Sequence, residues 1–271
     1  MKTFLVPVDF SDTSKNAAEF AVQLTTDIND AKIILYNVYE KITFSTSAET
    51  AHDARKSIAE SELSELKASL PVSEKATIST VAEEGSLVDK IEKFVAHNSV
   101  DFIIMGITGS SRIKQVFMGT NTLNVMRHVN TPLMIIPPDA KFHGLKNVVF
   151  TSDFKDVAHT TPFASLKAIL DLFNPMLHIV NVDAEHYVEL TEEYKKERAV
   201  LAEQLRSYTP EFYFLRTYDF VDGIDLFVGT HNIDAIITVP KKHNFLSQLF
   251  VVTHTKKLAY HSHMPIIAIH V

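Results

Sequence analysis

The chain has 271 residues, of which 46% are hydrophobic, so it can bury the core of one large domain or two ordinary ones, and we favour two. Its net charge of -7 provides no basic surface for nucleic acid or an anionic membrane, so we expect neither as a partner. Because cysteine is absent, a disulfide framework and a thiolate zinc site are excluded.

The amino-terminal segment begins with an apolar strand pattern rather than a targeting signal. It reaches Asp9 too early for the apolar core of a signal peptide, and no apolar run approaches the roughly 18 residues that span a bilayer. These features are typical of a soluble cytoplasmic protein, which is the localisation we expect.

In the first half, short apolar runs alternate with helical patterns. Five strands are predicted, at residues 3–8, 32–38, 75–85, 101–106 and 132–137. Four helices are predicted between them: one from Ser11 or Asp12 as N-cap to about residue 28, and others at 48–69, 86–98 and 120–129. This alternation predicts an α/β fold with a mainly parallel five-stranded sheet and helices on both faces, of flavodoxin-like or Rossmann-like layout.

The second half repeats the pattern of the first. Residues 101–137 align with 234–270 without a gap at an offset of 133 (234 − 101), and 4–12 align with 148–156 at an offset of 144 (148 − 4). Strands are predicted near 146–151, 175–182, 211–217, 234–238 and 265–270, with long helices at 156–173 and 185–207. The aromatic strand from residue 211 is expected to fill the core, or alternatively to line a nucleobase slot. We therefore predict two tandem domains, 1–140 and 145–271.

Three of the seven glycines, Gly106, Gly109 and Gly119, follow the fourth predicted strand. In parallel α/β sheets, ligands bind beyond the carboxyl ends of the strands, where the strand order reverses. Glycines let backbone N–H groups approach an anion, and the helix that begins at Thr120 adds unpaired donors and a positive dipole end. The segment is not a P-loop, because Gly119 is not followed by Lys, and its glycines lie too far apart for the dinucleotide fingerprint.

The spacing of these glycines, with two and then nine residues between them and Thr120 after the last, resembles the ATP-binding motif of the universal stress protein family. VPVDFSDTS, from residue 6, resembles the signature of that family's first strand, and residues 101–106 and 131–137 resemble its last two strands. The resemblance covers the chain as two consecutive family domains, more closely in 1–138 than in 145–271. It implies binding of ATP together with Mg²⁺.

The resemblance also implies a role for individual residues of the first half. Asp9, with Pro7 and Val8, corresponds to the acidic residue beside the adenosine moiety, and Val38 to the residue whose backbone meets adenine. The residues that surround the ribose and phosphates in the family correspond to Met105, Gly106, Thr108, Gly109, Gly119, Thr120, Asn121 and Thr122. Arg112 and Lys114 lie in the intervening loop, as added charge or as solvated cations. The alternative for the glycines is a tight turn that needs positive φ and holds no ligand.

The second half departs from the motif. Val239, Lys242 and Val252 stand where the first half has its three glycines, while Asp153, Val182 and Thr253 keep the other positions. Each lost backbone hydrogen bond costs about 0.5–1.5 kcal/mol, and steric exclusion by valine adds to this, which can erase a micromolar site worth about -8 kcal/mol. We therefore predict that the second half binds no ATP in the family's manner, although Lys242 leaves open a different anion.

The sequence thus predicts an ATP-binding regulatory protein of the stress response with an unidentified protein partner. The two halves are expected to form an intramolecular pseudo-dimer through their closing strands, near 132–137 and 265–270, with a further homodimer left open. A slow ATPase and a nucleotide-free scaffold remain alternatives. Among the thirteen histidines, His254, His261 and His263 suggest a zinc site, but helix-end histidines explain them better, and we predict no metal site of the protein's own.

Overall fold

The structure is a computed structural model, and it describes residues 1–40, 48–71, 73–107, 119–182, 191–216, 220–240 and 264–271. The chain divides into two compact units, Met1–Phe142 and His143–Val271, which we call unit 1 and unit 2. In the described residues of both units, a parallel sheet is combined with α-helices.

The described residues of unit 1 contain five parallel strands in the order β3-β2-β1-β4-β5. The strands are β1 (Lys2–Pro7), β2 (Ala31–Tyr39), β3 (Ala76–Glu84), β4 (Phe102–Gly106) and β5 (Leu133–Ile136). The helices are α1 (Asp12–Leu24), α2 (Ala48–Ser69), α3 (Leu87–His97) and α4 (Thr120–His128). The central strands are buried along almost their whole length, as expected for apolar strands covered on both faces.

Unit 2 has the same strand order, β8-β7-β6-β9-β10, and its strands are also parallel. The strands are β6 (Asn147–Thr151), β7 (Met176–Val182), β8 (Glu211–Leu215), β9 (Ala235–Thr238) and β10 (Ile266–Ala268). The helices are α5 (Val157–Thr160), α6 (Phe163–Phe173), α7 (Glu192–Gln204) and α8 (Phe220–His231). The predicted α/β fold with a mainly parallel sheet is confirmed.

The helices of unit 2 differ from the sequence prediction in three places. The helix predicted over 156–173 is interrupted after Thr160 and resumes at Phe163, because Pro162 has no N–H and forces the residue before it out of the helical region. The helix predicted over 185–207 begins after its N-cap Thr191 and ends at Gln204, while 183–190 lie outside the described residues. The helix α8 was not predicted.

The first and fourth strands of each unit are joined at their amino ends by an aspartate. In unit 1, Thr3 N donates to Asp101 Oδ2 at 2.8 Å, and Asp101 N donates to Thr3 O at 2.9 Å. In unit 2, Asn147 N donates to Asp234 Oδ2 at 2.9 Å, and Asp234 N donates to Asn147 O at 2.8 Å. The two units therefore share both their strand order and the hydrogen bonds between their first and fourth strands.

The strand order reverses beside β1, since the chain moves outward through β2 to β3 and then returns to place β4 on the other side of β1. The carboxyl ends of β1 and β4 therefore border the crevice where α/β sheets bind ligands. No helix among the described residues is long and apolar enough to cross a membrane. Within those same ranges, no three His, Asp or Glu side chains are grouped to hold a metal ion.

Candidate functional site

The end of β1 forms one wall of the crevice. Val8 N donates to Tyr36 O at 2.9 Å as the last rung between β1 and β2. Phe10 then adopts a left-handed backbone with φ 63°, which turns the chain away from the sheet. The exposed Asp9 carboxylate is held at this turn, because its Oδ1 accepts hydrogen bonds from Ser11 N at 3.1 Å and from the Ser11 hydroxyl. Its Oδ2 accepts no hydrogen bond from the residues that the structure describes.

On the side that faces β1, none of the described residues pairs with the backbone of Val38. In a parallel sheet, alternate residues direct both N–H and C=O toward the same adjacent strand. Tyr36 O bonds to β1, so the N–H and C=O of Val38 point the same way, beyond the place where β1 turns off. A continued ladder would pair Val38 N with Val8 O, but that oxygen accepts Asn37 Nδ2 at 2.7 Å instead. Val38 therefore presents a donor beside an acceptor, which complements the N1 and amino edge of adenine.

The start of α4 forms the opposite wall and is fastened to the end of β4. Gly119 is the N-cap, and its N–H donates to Ile107 O at 2.6 Å. The buried hydroxyl of Thr122 donates to Gly106 O at 3.0 Å. As a glycine, Gly119 has no side chain that could cap the helix, and the N–H groups of Thr120, Asn121 and Thr122 have no intrahelical partners. This end of α4 therefore offers amide donors and a positive dipole end to an anion.

Neither of the two described glycines of the motif, Gly106 and Gly119, has a positive φ. A Cβ on Gly106 would lie 2.7 Å from Thr13 O and 2.9 Å from Thr13 C, so this glycine lets the first turn of α1 pack against β4. Gly119 has φ -61° and ψ 148°, a conformation open to any residue, and Gly106 does not have positive φ either. The alternative of a turn that needs positive φ is therefore wrong for both residues.

The structure brings most of the predicted site residues to one edge of the sheet. The β1–β4 register pairs Leu5 with Ile103, which places the ends of both strands side by side, and Val38 lies one strand further along. The residues placed along this edge are Pro7, Val8, Asp9, Val38, Met105, Gly106, Gly119, Thr120, Asn121 and Thr122. Thr108, Gly109, Arg112 and Lys114 lie outside the described residues.

The comparisons with known proteins agree with this geometry. The model of the universal stress protein family matches residues 1–137, which is just over half of the chain. The chain belongs to the universal stress protein family. Two relatives are universal stress proteins of Methanocaldococcus jannaschii: one is 24% identical over 52% of this chain and 84% of the relative. The other is 27% identical over 50% of this chain and 94% of the relative.

A crystal structure of a universal stress protein from Archaeoglobus fulgidus resembles the whole chain. It has a TM-score of 0.67 and 17% identity, and the match covers 99% of this chain and 98% of that one. At this level of identity the likeness shows the α/β fold alone.

Sequence reasoning missed two residues that shape this crevice. Asn37 is 6% exposed, and its side-chain bond to Val8 O ends the ladder between β1 and β2. Thr13 lies where a Cβ on residue 106 would be, which explains the glycine at that position. The signal for Asn37 was present, because the same Asn-Val pair recurs as Asn181 and Val182 at the offset of 144. Nothing in the sequence marks Thr13.

The outer side of Val38 is closed by a charged pair. Glu83 lies opposite Val38 on β3, and its carboxylate pairs with Lys90 Nζ at 3.0 Å. Burial, with a smaller contribution from Glu83, raises the pKa of the fully buried Tyr36, so its phenol stays neutral at physiological pH. The backbone of Val38 is therefore bordered by the neutral phenol of Tyr36, and the Glu83–Lys90 pair lies one strand away.

In unit 2, one of the three residues that replace the motif glycines lies among the described residues. Val239 is half-buried directly after β9, at the position of Gly106, whereas Lys242, Val252 and Thr253 lie outside the described residues. The three histidines considered for zinc, His254, His261 and His263, also lie outside them.

Proposed function

We propose that unit 1 binds ATP together with Mg²⁺ and that the protein is a nucleotide-dependent regulator of the stress response. The observation that carries this proposal is that two different kinds of binding group, a neutral backbone edge and a helix start, lie at one crevice. The donor and acceptor of Val38 suit an adenine edge, and the uncapped start of α4, fastened to β4, suits a phosphate chain. No other ligand class combines a neutral heteroaromatic edge with a polyanionic tail as directly as a nucleotide does.

Each remaining residue of the site has a role in this proposal. The Asp9 carboxylate accepts hydrogen bonds from the ribose hydroxyls, while the buried Pro7 and Val8 form the floor beneath the nucleoside. The exposed side chains of Thr120 and Asn121 add donors beside the phosphates. Mg²⁺ enters as the counter-ion of the triphosphate, and we assign it no protein ligand.

We propose further that unit 2 is a second universal stress protein domain without an ATP site. The repeated strand order and aspartate bonds support a duplicated domain, and the replacement of all three motif glycines, by Val239, Lys242 and Val252, supports a lost phosphate site. The proposal includes an intramolecular pseudo-dimer of the two domains, a cytoplasmic location, and an unidentified protein partner that responds to nucleotide occupancy.

An isothermal titration of the nucleotide-stripped full chain with ATP and Mg²⁺ tests these proposals. We expect one site per chain. Gly119→Val places a branched side chain at the start of α4 without backbone strain and should abolish binding. Gly229→Val changes an exposed glycine of α8 in unit 2 and should leave binding intact.

The other outcomes identify the alternatives. Two sites per chain would contradict the proposal for unit 2. No heat up to millimolar ATP, weaker than about -4 kcal/mol, would leave the protein as a nucleotide-free scaffold. Binding followed by steady phosphate release would make the protein a slow ATPase, and binding without release supports the regulator.

A further inference from the structure

Residues 137–142, which lead from β5 toward unit 2 and which we call the connecting segment, are attached to the side of α1. Asn16 of α1 is 9% exposed, and its Nδ2 donates to Pro137 O at 3.2 Å and to Ala140 O at 3.1 Å. Lys141 Nζ donates to Asn16 Oδ1 at 3.3 Å. Both amide protons and the amide oxygen of Asn16 are therefore bonded to the connecting segment.

Two further features hold the connecting segment in this conformation. Ala140 N donates to Pro137 O at 3.1 Å, which closes a turn with Pro138 at its second position, where the fixed φ of proline is favourable. The ring of Phe142 packs edge-on against Phe20 of α1, with centroids 5.3 Å apart. The connecting segment is therefore an ordered part of unit 1, which ends at Phe142.

The strand order does not require an amide at the position of Asn16, because unit 2 has the same order without one. The equivalent residue, at the offset of 144 (160 − 16), is Thr160. Its hydroxyl donates to Lys155 O at 2.9 Å, only five residues earlier in the chain. The attachment through Asn16 is therefore a property of unit 1, the unit that has the complete glycine motif.

The helix that holds the connecting segment also begins at the wall of the crevice. Asp9 N donates to Ser14 Oγ at 3.3 Å, so the first turn of α1 is bonded to the residue that carries the crevice carboxylate. Thr13 of the same turn packs against Gly106. Asn16 follows Thr13 by three residues and lies on the same face of the helix. One helix therefore contacts both the crevice and the connecting segment.

We propose that ATP binding and attachment of the connecting segment are coupled through α1. Hydrogen bonds from the ribose hold Asp9, which opposes fraying of the first turn of α1 and keeps Asn16 against the connecting segment. Asn16 is then a positioning residue that acts on Asp9 through the helix and touches no ligand. This inference rests on the proposed function, because it takes Asp9 as the residue that bonds the ribose.

The coupling works in both directions. If bound ATP opposes release of the connecting segment by a certain factor, release of the segment must weaken ATP binding by the same factor. The chain continues from the connecting segment into β6, so release of the segment is the step by which loss of ATP would reach unit 2.

Limited digestion of the full chain with trypsin measures the attachment, because Lys141 is itself a cleavage site. Trypsin takes a lysine side chain into its specificity pocket, so cleavage after Lys141 requires that Nζ leave Asn16. We expect saturating ATP with Mg²⁺ to slow this cut at least threefold, followed by mass spectrometry. A small chromogenic substrate in the same mixture checks that ATP does not inhibit trypsin.

A parallel titration with ATP separates this inference from the proposed function. If ATP binds but leaves the cut after Lys141 at its original rate, the inference is overturned and the proposed function stands. If ATP does not bind, both are overturned.

Substitutions on the two sides of the attachment test the reverse direction. Asn16→Ala removes three hydrogen bonds and keeps a good helix former, so it should speed the cut after Lys141 and weaken ATP binding at least threefold. Phe142→Ala leaves Asn16 intact, should change both in the same direction, and serves as the test if Asn16→Ala does not fold. Gln23→Ala alters an exposed side chain of α1 and should change neither. A faster cut with unchanged ATP affinity would show a purely structural attachment and overturn the coupling.

Discussion

The Thr122 hydroxyl donates to the carbonyl oxygen of Gly106 at 3.0 Å, across sixteen residues of sequence. This bond, with that from Gly119 N to Ile107 O, fastens the start of α4 to the end of β4. The position of the helix dipole relative to the crevice therefore depends on a buried hydroxyl that need not contact the ligand. Thr122 is in this sense a positioning residue for the proposed site.

Thr122→Val should weaken ATP binding by removing this bond while keeping the shape of the side chain. A lost hydrogen bond of about 0.5–1.5 kcal/mol corresponds to a decrease of roughly two- to tenfold in affinity, measured by titration calorimetry. Thr122→Ser retains the hydroxyl and should bind ATP more tightly than Thr122→Val. If the serine and valine variants bind equally, the hydroxyl does not position the helix.

Gly106→Ala should destabilise unit 1 through its contact with α1. The new Cβ would lie 2.7 Å from the backbone oxygen of Thr13, so either α1 or β4 must shift, at a cost of about 1–3 kcal/mol. Urea unfolding followed by circular dichroism measures this cost. Gly119→Ala is the matched control, because its φ of -61° accepts alanine, and it should change the free energy of unfolding much less.

Asn37→Ala and Asn181→Ala form a matched pair across the two units. Asn37→Ala removes the side-chain amide that donates to Val8 O at 2.7 Å, and Asn181→Ala removes the one that donates to Ser152 O at 2.8 Å. Each substitution should lower the free energy of unfolding by about 1–3 kcal/mol. Only Asn37→Ala should also weaken ATP binding, because it frees Val8 O to compete for the N–H of Val38. An equal loss of ATP affinity in both variants would contradict the assignment of the site to unit 1.

The stability of unit 2 should depend on pH through His178, which is 4% exposed on β7. Burial lowers the pKa of its imidazole, and this outweighs the opposing effect of Glu211, whose Oε2 lies 3.4 Å from Nδ1, while His231 adds to the lowering. The neighbours that pack on it are Tyr213 of β8 and both Phe227 and His231 of α8.

Because the folded pKa of His178 lies below the unfolded value, the unfolded chain binds more protons in acid. Stability should therefore fall as the pH decreases below about 6.5, by at most about 1.4 kcal/mol per pH unit, until the folded pKa is passed. His178→Ile, which copies Ile34 at the equivalent position of unit 1, should flatten this dependence. Urea unfolding between pH 5 and pH 7.5 measures it, and equal slopes for the two proteins would contradict the assignment.

Local sequence patterns determined the alternation of strands and helices, and with it the α/β class. Apolar runs buried on both faces and helical spacing are local properties, so β1 to β5 and α1 to α4 were predicted close to their observed ranges. The break at Pro162 was missed, although the proline is visible in the sequence. The helix α8 was missed because the apolar residues around Phe227 resemble a strand as much as a helix.

For the site, the sequence by itself determined the identity and spacing of the glycines, Asp9 and Thr120, and thus the edge of the sheet at which a ligand is expected. Only the tertiary structure decided which contacts the residues at that edge make. Gly106 accommodates Thr13, and Val38 becomes available because Asn37 ends the ladder to β1. The physical reason is that both effects are contacts between segments distant in the chain. Steric approach and hydrogen-bond pairing depend on strand register and helix placement, which no local pattern of residues specifies.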